Sequence, residues 1–389
     1  MNSQHKILYV SNPFYLDYDL PLIRYLRRET DLYYFLDLSP LSSCATILKI
    51  ENYSGTARIL DGKTYNITEK FDDLPESKTF IINRKTNKPS VLNFFLQFRL
   101  ARLIRKINPD IIHFNTDFTH NYFLLNFLLR KTVICTVHDP IPHSDDDTFK
   151  EAFKRKFFYR FVRNFIILNS QQHAEFINRY NLYKRNVFIS SLGIYDYLLA
   201  DNSLEVLSRL HSSRTSLQMI MFGRINKYKG INYLLPAFES IVSKYPDVKL
   251  IIAGKGDVEF GNNGRPGNVQ FLNHYIENEE LSELIASSDF VVCPYTDATQ
   301  SGVIMTAFAF CKPVIATDVG GLRTFVEDGI TGLLIEPGNT CRLEEAIEKF
   351  ILDPPLLNKL SKNIFDKYHA GESSWKSIAR ATMDIYNKL

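Results

Sequence analysis

Cysteine is scarce and badly placed for structure. Five occur in 389 residues, at positions 44, 135, 293, 311 and 341, an odd and scattered set with no C-x-x-C pair. That excludes a cysteine-built zinc cage and gives no disulfide framework, so a reducing compartment is implied. Cys135 and Cys293 fall inside apolar strand-like runs and read as small core residues. An excess of one charge is also missing: 46 Lys and Arg face 43 Asp and Glu, a formal net charge of +3. A dedicated nucleic-acid binder would carry a domain-wide basic excess, so no nucleic-acid partner is expected. No run approaches the roughly 18 apolar residues of a membrane span. The N-terminal stretch MNSQHKILYVS enters a short apolar run without a signal-peptide h-region. The expectation is a cytoplasmic protein, at most peripheral to the cytoplasmic face of a membrane. Tryptophan occurs once, but Phe (29) and Tyr (21) are plentiful. No internal repeat or low-complexity segment stands out.

What is present is alternation. Short aliphatic runs predict strands at Lys6–Val10, Leu32–Leu36, Thr79–Ile82, Ile111–Phe114, Val133–Val137, Phe165–Leu168 and Val187–Ser190. Longer patterns between them predict helices at Asp19–Glu29, Leu92–Ile107 and Phe149–Arg163. The alternation restarts with strands at Ser216–Phe222, Lys249–Ala253, Val269–Phe271, Phe290–Val292, Val314–Ala316 and Gly332–Ile335. Helices Ile231–Lys244, Glu279–Ala286, Ser301–Phe310 and Leu343–Ile351 lie between these. Continuously apolar strands separated by helices indicate parallel sheets covered on both faces. The length favours two such domains. The polar stretch Leu199–Thr215 is the expected linker, giving an N-terminal domain over 1–198 and a second over 216–373. An amphipathic C-terminal helix over 374–389 follows a Gly–Glu–Ser–Ser break. Two doubly wound halves would face each other across an interdomain cleft lined by strand C-termini, where such folds bind ligands.

Gly223–Gly230 (GRINKYKG) lies between a strand and a helix. Exposed amides and the helix dipole make such a turn an anion site. Arg224 and Lys229 would add a bidentate donor and a point charge suited to a diphosphate. A surface loop with two solvated charges is the plainer reading, and the fragment alone leaves both open. The second element is Pro294–Gly321 (PYTDATQSGVIMTAFAFCKPVIATDVGG). Its loop ends at a helix start where Ser301 is placed to cap and Gly302 to admit a ligand oxygen close to the amides.

In order, GRINKYKG, Leu234–Phe238, Ala253–Gly256 and KPVIATDVGGLRTFVEDGITGLLIEPGN (Lys312–Asn339) resemble the C-terminal domain of retaining glycosyltransferase family 4. The resemblance covers roughly 216–368. It implies the α/β GT-B architecture: two Rossmann-like domains, with the C-terminal helix crossing back to the N-domain. It implies a metal-independent transferase moving a sugar from a nucleotide diphosphate to a saccharide or lipid-linked hydroxyl, in surface polysaccharide or glycoconjugate synthesis. The nucleotide sugar is substrate rather than cofactor, with a UDP-sugar favoured. Residues matching Arg224 and Lys229 would hold the diphosphate, those matching Tyr275 and Ile276 would flank the base, and Gly223, Gln300, Ser301, Gly302 and Thr306 would complete the donor site. One departure is plain. The family's usual glutamate pair aligns with Ala298 and Thr306, which motivates an alternative, a non-catalytic nucleotide-sugar-binding partner. A nicotinamide-dependent oxidoreductase is disfavoured, because no strand leads into G-x-G-x-x-G with an acid about 20 residues on.

In the first half, Val133–Val137 leads into His138–Asp139–Pro140–Ile141–Pro142–His143. A loop histidine is commonly just solvated, but this one resembles the family's catalytic-loop histidine, so His138, with Asp139 as companion, is assigned to the catalytic site. His113 resembles a D-x-x-H strand end and reads equally as a packed histidine. The aromatic loop Ser11–Asp19 would suit an acceptor sugar. Asp17–Asp19 and Asp145–Asp147 invite a metal reading, yet neither follows a strand and no metal is expected. Phe149–Phe165 holds six basic residues and one acid among its aromatics. It reads either as a domain helix or as a contact with an anionic membrane.

Overall fold

The computed structural model describes residues 4–43, 47–48, 50–115, 122, 130–141, 149–199, 217–256, 267–298 and 301–389. The chain forms two compact units, 1–192 with 375–389, and 193–374. Apart from Leu199, the linker expected over 199–215 lies outside the described residues. The division in the structure falls at Leu192/Gly193 because the segment that follows is bonded into the second unit. Tyr195 donates its amide to the Met305 carbonyl at 3.3 Å, and the Ser282 hydroxyl donates to the Leu198 carbonyl at 3.1 Å.

The first unit contains β1 (Lys6–Ser11), β2 (Asp31–Leu38), β3 (Arg58–Asp61), β4 (Thr79–Asn83), β5 (Ile111–Asn115), β6 (Thr132–Val137), β7 (Asn164–Ile167) and β8 (Asn186–Ile189). They form one sheet in the order β3-β4-β2-β1-β5-β6-β7-β8, parallel except for the β3–β4 edge pair. Its helices are α1 (Leu16–Glu29), α2 (Ile67–Lys70), α3 (Val91–Ile107), α4 (Phe149–Tyr159) and α5 (His173–Tyr180). Local chemistry sets the bounds of α3: the Ser90 hydroxyl accepts from the Asn93 amide, and Asn108 ends the helix in a left-handed conformation. One face of the sheet, with Leu8, Val10, Phe114 and Cys135, packs against Leu96, Leu100 and Ile104 of α3 and Tyr159 of α4.

The second unit is a wholly parallel sheet of β9 (Gln218–Phe222), β10 (Lys249–Ala253), β11 (Val269–Leu272), β12 (Phe290–Cys293), β13 (Val314–Thr317) and β14 (Gly332–Ile335), ordered β11-β10-β9-β12-β13-β14. Around it lie α6 (Ile231–Lys244), α7 (Asn278–Ser287), α8 (Gly302–Ala309), α9 (Leu322–Phe325), α10 (Thr340–Leu352) and α11 (Pro354–Ile364). Met219, Met221, Ile252 and Ile315 pack against Leu234 and Phe238 of α6 and against Ile347 and Phe350 of α10. The last helix, α12 (Trp375–Tyr386), returns to the first unit. There Trp375 meets Tyr18 edge-on at 5.2 Å.

Both sheets are doubly wound, and each has one point where the winding reverses. In the first unit it falls between β1 and β5, and in the second between β9 and β12. Loops leaving the C-terminal ends of the strands diverge there and open a crevice for ligands.

Candidate functional site

In the second unit the two sequence-predicted loops leave the two strands of that reversal, β9 and β12. Gly223 has a φ of +97°. The next strand comes so close that a Cβ on Gly254 would stand 1.9 Å from the Gly223 carbonyl oxygen. A single turn, Lys227–Lys229, then leads to Gly230, which has a φ of +74° and precedes the first residue of α6. A Cβ on Gly230 would lie 1.8 Å from the Pro294 carbonyl oxygen, so the loops meet through bare backbone. The Thr296 amide bonds to the Tyr228 carbonyl at 2.8 Å, the Thr317 hydroxyl to the Tyr295 carbonyl at 2.5 Å, and the Gly321 amide to the Ala298 carbonyl at 3.1 Å. The loop after β12 is thereby held from both sides.

Lys229 is 7% exposed. Its ammonium donates to the Tyr295 hydroxyl at 2.7 Å, 4.0 Å from that ring's centroid and 5.5 Å from that of Tyr228. Burial pulls its pKa from 10.5 down to about 8, against the opposing influence of Cys293. Among the described residues no carboxylate pairs with it. Among the described residues this desolvated ammonium meets a phenol, two ring faces and the Cys293 thiol, an environment poised for an anionic partner. Arg224 is exposed on the same loop.

Ser301 occupies the cap position of α8, but its hydroxyl makes no capping bond. It is buried against the Tyr295 hydroxyl without a hydrogen bond of good geometry. A Cβ on Gly302 would stand 2.8 Å from the Tyr195 ring, so that ring fills the side of Gly302 where a side chain would stand. Thr306 gives its hydroxyl proton to the Gly302 carbonyl at 2.9 Å, so that it can only accept from a ribose. Ala298 is buried. Tyr275 is exposed and Ile276 half-buried just beyond β11. Gln300 lies outside the described residues.

In the first unit, His138 follows β6 and neighbours the β1–β5 reversal. It is buried, stacked on Tyr15 at 4.1 Å and met edge-on by Tyr18 at 5.1 Å. Asn115, the last residue of β5, donates its amide to Asp19 Oδ1 at 2.6 Å. Its carbonyl oxygen is therefore turned to His138 Nε2, 2.8 Å away. This assigns the His138 proton to Nε2. Burial lowers its pKa to about 3, so the ring is neutral near pH 7. Tyr9 and Tyr34 donate to the two oxygens of Asp19 at 2.9 and 3.1 Å, while burial raises its pKa to about 7. Asp139 is half-buried, its carbonyl accepting from Arg155 at 2.7 Å. His113 is a packed histidine between the Tyr386 hydroxyl at 2.5 Å and the Thr136 hydroxyl at 2.7 Å. The 11–19 stretch is largely helical rather than a loop. Among the described residues no group of three or more His, Cys, Asp or Glu is placed to hold a metal. Asp145–Asp147 and His143 lie outside them.

Sequence reading missed Tyr295, Tyr195 and Asn115 as parts of these sites, and it named Asp19 only within the Ser11–Asp19 stretch and a metal reading, not as the partner of Asn115. Asn115 ends β5, Tyr295 follows β12, Tyr195 follows Gly193 and Asp19 lies in the first turn of α1, but nothing in their spacing marks their roles.

Residues 208–367 match the family model of the group 1 glycosyl transferases, and residues 67–194 match that of glycosyltransferase family 4. With the two doubly wound units, these matches make the chain a member of the group 1 glycosyltransferases of GT-B fold. Among individual relatives, it is 30% identical over 209 residues to the alpha-maltose-1-phosphate synthase of Mycobacterium tuberculosis, covering 47% of this chain and 51% of the synthase. It is 27% identical over 313 residues to the D-inositol 3-phosphate glycosyltransferase of Corynebacterium aurimucosum, covering 74% of each. HepE of Anabaena, solved in complex with UDP, shares the fold with a TM-score of 0.66 at 18% identity, over 99% of this chain and 100% of that one. The chain spans about half the length of several curated relatives it matches.

Proposed function

We propose that the chain transfers a sugar from a nucleotide-diphosphate sugar, with UDP the favoured nucleotide, to a hydroxyl of a saccharide or lipid-linked acceptor, with retention at the anomeric carbon. The observation that carries the reading is Lys229, a buried ammonium with no carboxylate partner among the described residues, beside a glycine turn and the start of α6. Lys229, Arg224 and the helix amides would stabilise the charge that grows on the departing diphosphate, where preorganised donors act most strongly. The diphosphate would take the acceptor proton on the same face, so no carboxylate nucleophile is needed. His138 is neutral and fixed as an Nε2–H donor by Asn115. It would orient donor-sugar hydroxyls rather than act as an acid. Tyr275 and Ile276 would flank the base. Relatives support the class: HepE was solved with UDP, and the mycobacterial and corynebacterial proteins are by name an alpha-maltose-1-phosphate synthase and a D-inositol 3-phosphate glycosyltransferase.

A second reading, a partner that binds the donor without turnover, draws on the buried Ala298 and the committed Thr306 hydroxyl. One experiment separates the two. Thermal shift against UDP-, GDP- and dTDP-sugars identifies the donor, because a ligand at 100 times its Kd adds about 2.7 kcal/mol of stability. Nucleotide release is then followed chromatographically. Release with sugar transfer supports the enzyme, a shift without release supports the binding partner, and no shift with any nucleotide sugar at millimolar concentration refutes both.

A further inference from the structure

Helix α3 exposes an apolar surface that no described element covers. Val91 is 71% exposed and Phe95 57%, and Leu92, Phe94 and Phe98 are exposed with them, while Leu96, Leu100 and Ile104 on the opposite side enter the core. The Phe94 ring contacts those of Phe95 and Phe98 edge-on at 6.0 and 5.3 Å, making a small aromatic cluster. Helical spacing puts all five residues on one stripe, and Arg99, Arg102, Arg105 and Lys106 continue the same stripe toward the C-terminus. The 17-residue helix contains no acid. Helix α4 covers the same face of the sheet and exposes Phe153 and Phe157 beside Lys156 and Arg160. Each helix follows a strand of the parallel sheet, so their first turns share the edge where the strands end.

We propose that α3 docks the first unit onto an anionic bilayer surface. Val91, Leu92 and the three phenylalanines would enter the headgroup boundary, and the four cations would lie over acidic headgroups. Charge complementarity selects this occupant: an apolar half-stripe continued by cations without a single acid fits an acidic lipid surface, with apolar area and charge contributing together. No described helix is long and apolar enough to cross a membrane, so the contact is peripheral. The inference is independent of the donor reading, because bilayer binding is measured without nucleotide.

The test is sedimentation of the full chain with vesicles of phosphatidylcholine alone or with about a third phosphatidylglycerol, at physiological salt. The wild-type chain is expected to pellet with anionic vesicles only. The triple variant F94S/F95S/F98S and the variant R99S/R102S/R105S/K106S should each weaken partitioning roughly tenfold or more. Melting curves and circular dichroism establish that the variants fold, and the exposed positions make that the expected result. If the phenylalanine variant misfolds, the charge variant alone decides, because its positions lie outside the apolar cluster. Absence of wild-type binding overturns the proposal, as does full binding by a folded variant. A wild-type dimer that the triple variant converts to monomers would assign the surface to a second copy of the chain instead, and would also overturn it.

Discussion

A buried ammonium is costly unless something meets it, and at Lys229 the cost leads to a pH dependence. Its folded-state pKa, about 8, lies below the ordinary 10.5. Below pH 8 both folded and unfolded chains hold the proton, so the penalty is fully present. Between pH 8 and 10.5 the unfolded chain holds more protons, and the unliganded protein gains stability as pH rises, by up to about 3 kcal/mol from this group. Donor binding has the opposite sign. A diphosphate needs the charged form, so affinity for UDP should fall by about twofold from pH 7 to 8 and by about fivefold from pH 8 to 9. Calorimetric titration of UDP at those pH values checks this. Lys229→Met should bind UDP weakly and without that slope, and a flat wild-type profile would remove Lys229 from the diphosphate site. At this scale the sequence was informative about charge and silent about surroundings. A glycine turn frames Lys229 and a strand end frames His138, but the resemblance to family 4 is what singled them out. The Tyr295 hydroxyl and the Asp19–Asn115 pair that set their chemistry were not, since tertiary contacts between distant residues leave no local period.

Among the elements, the coupling of the loops after β9 and β12 matters more than either loop. Gly230 serves as a joint: its positive φ turns the chain into α6, and its missing side chain admits the Pro294 carbonyl. Gly230→Ala meets both obstacles, a strained backbone and a methyl 1.8 Å from an oxygen. The expected outcome is a loss of about 3 kcal/mol or more in urea unfolding, with donor-induced thermal shift abolished. Gly267→Ala is the control, since among the described residues nothing lies within 4 Å of its added Cβ. If Gly230→Ala retains both stability and donor response, the two loops are not coupled through this contact. The elements themselves were largely legible. β10, β14 and α6 run where apolar periodicity puts them, because parallel strands and amphipathic helices each impose a strong pattern. β3 escaped because Arg58–Asp61 is short, half polar and at the sheet edge. The end of α8 facing the donor loop was misread in detail. Ser301 fits the cap pattern, yet its hydroxyl makes no capping bond, and the Tyr195 ring packs on the side of Gly302 where a Cβ would stand.

For the molecule as a whole, two units with separate cores are expected to unfold in two events, so that a single two-state melting temperature would not describe the chain. Position along the chain also misleads about membership, because the last 15 residues belong to the first unit. The reason is the face of α12. Trp375, Ile378, Ala379, Thr382, Ile385 and Tyr386 recur at helical spacing and are all buried, and the Tyr386 hydroxyl reaches His113 on β5. Burial of several large side chains at about 1.5–3 kcal/mol each makes α12 comparable with the whole stability of a typical domain. Deleting it would therefore unfold the first unit and reveal little, so a gentler change is more telling. Tyr386→Phe removes one buried hydroxyl and leaves His113 short of a partner, at about 1–2 kcal/mol. Scanning calorimetry should show one transition lowered by roughly 2–8 °C. UDP, binding through Lys229 in the second unit, should raise the other transition and leave the lowered one in place. If the transition that UDP raises is also the one that Tyr386→Phe lowers, stability is shared across the units, and donor binding and the C-terminal helix act on one cooperative structure.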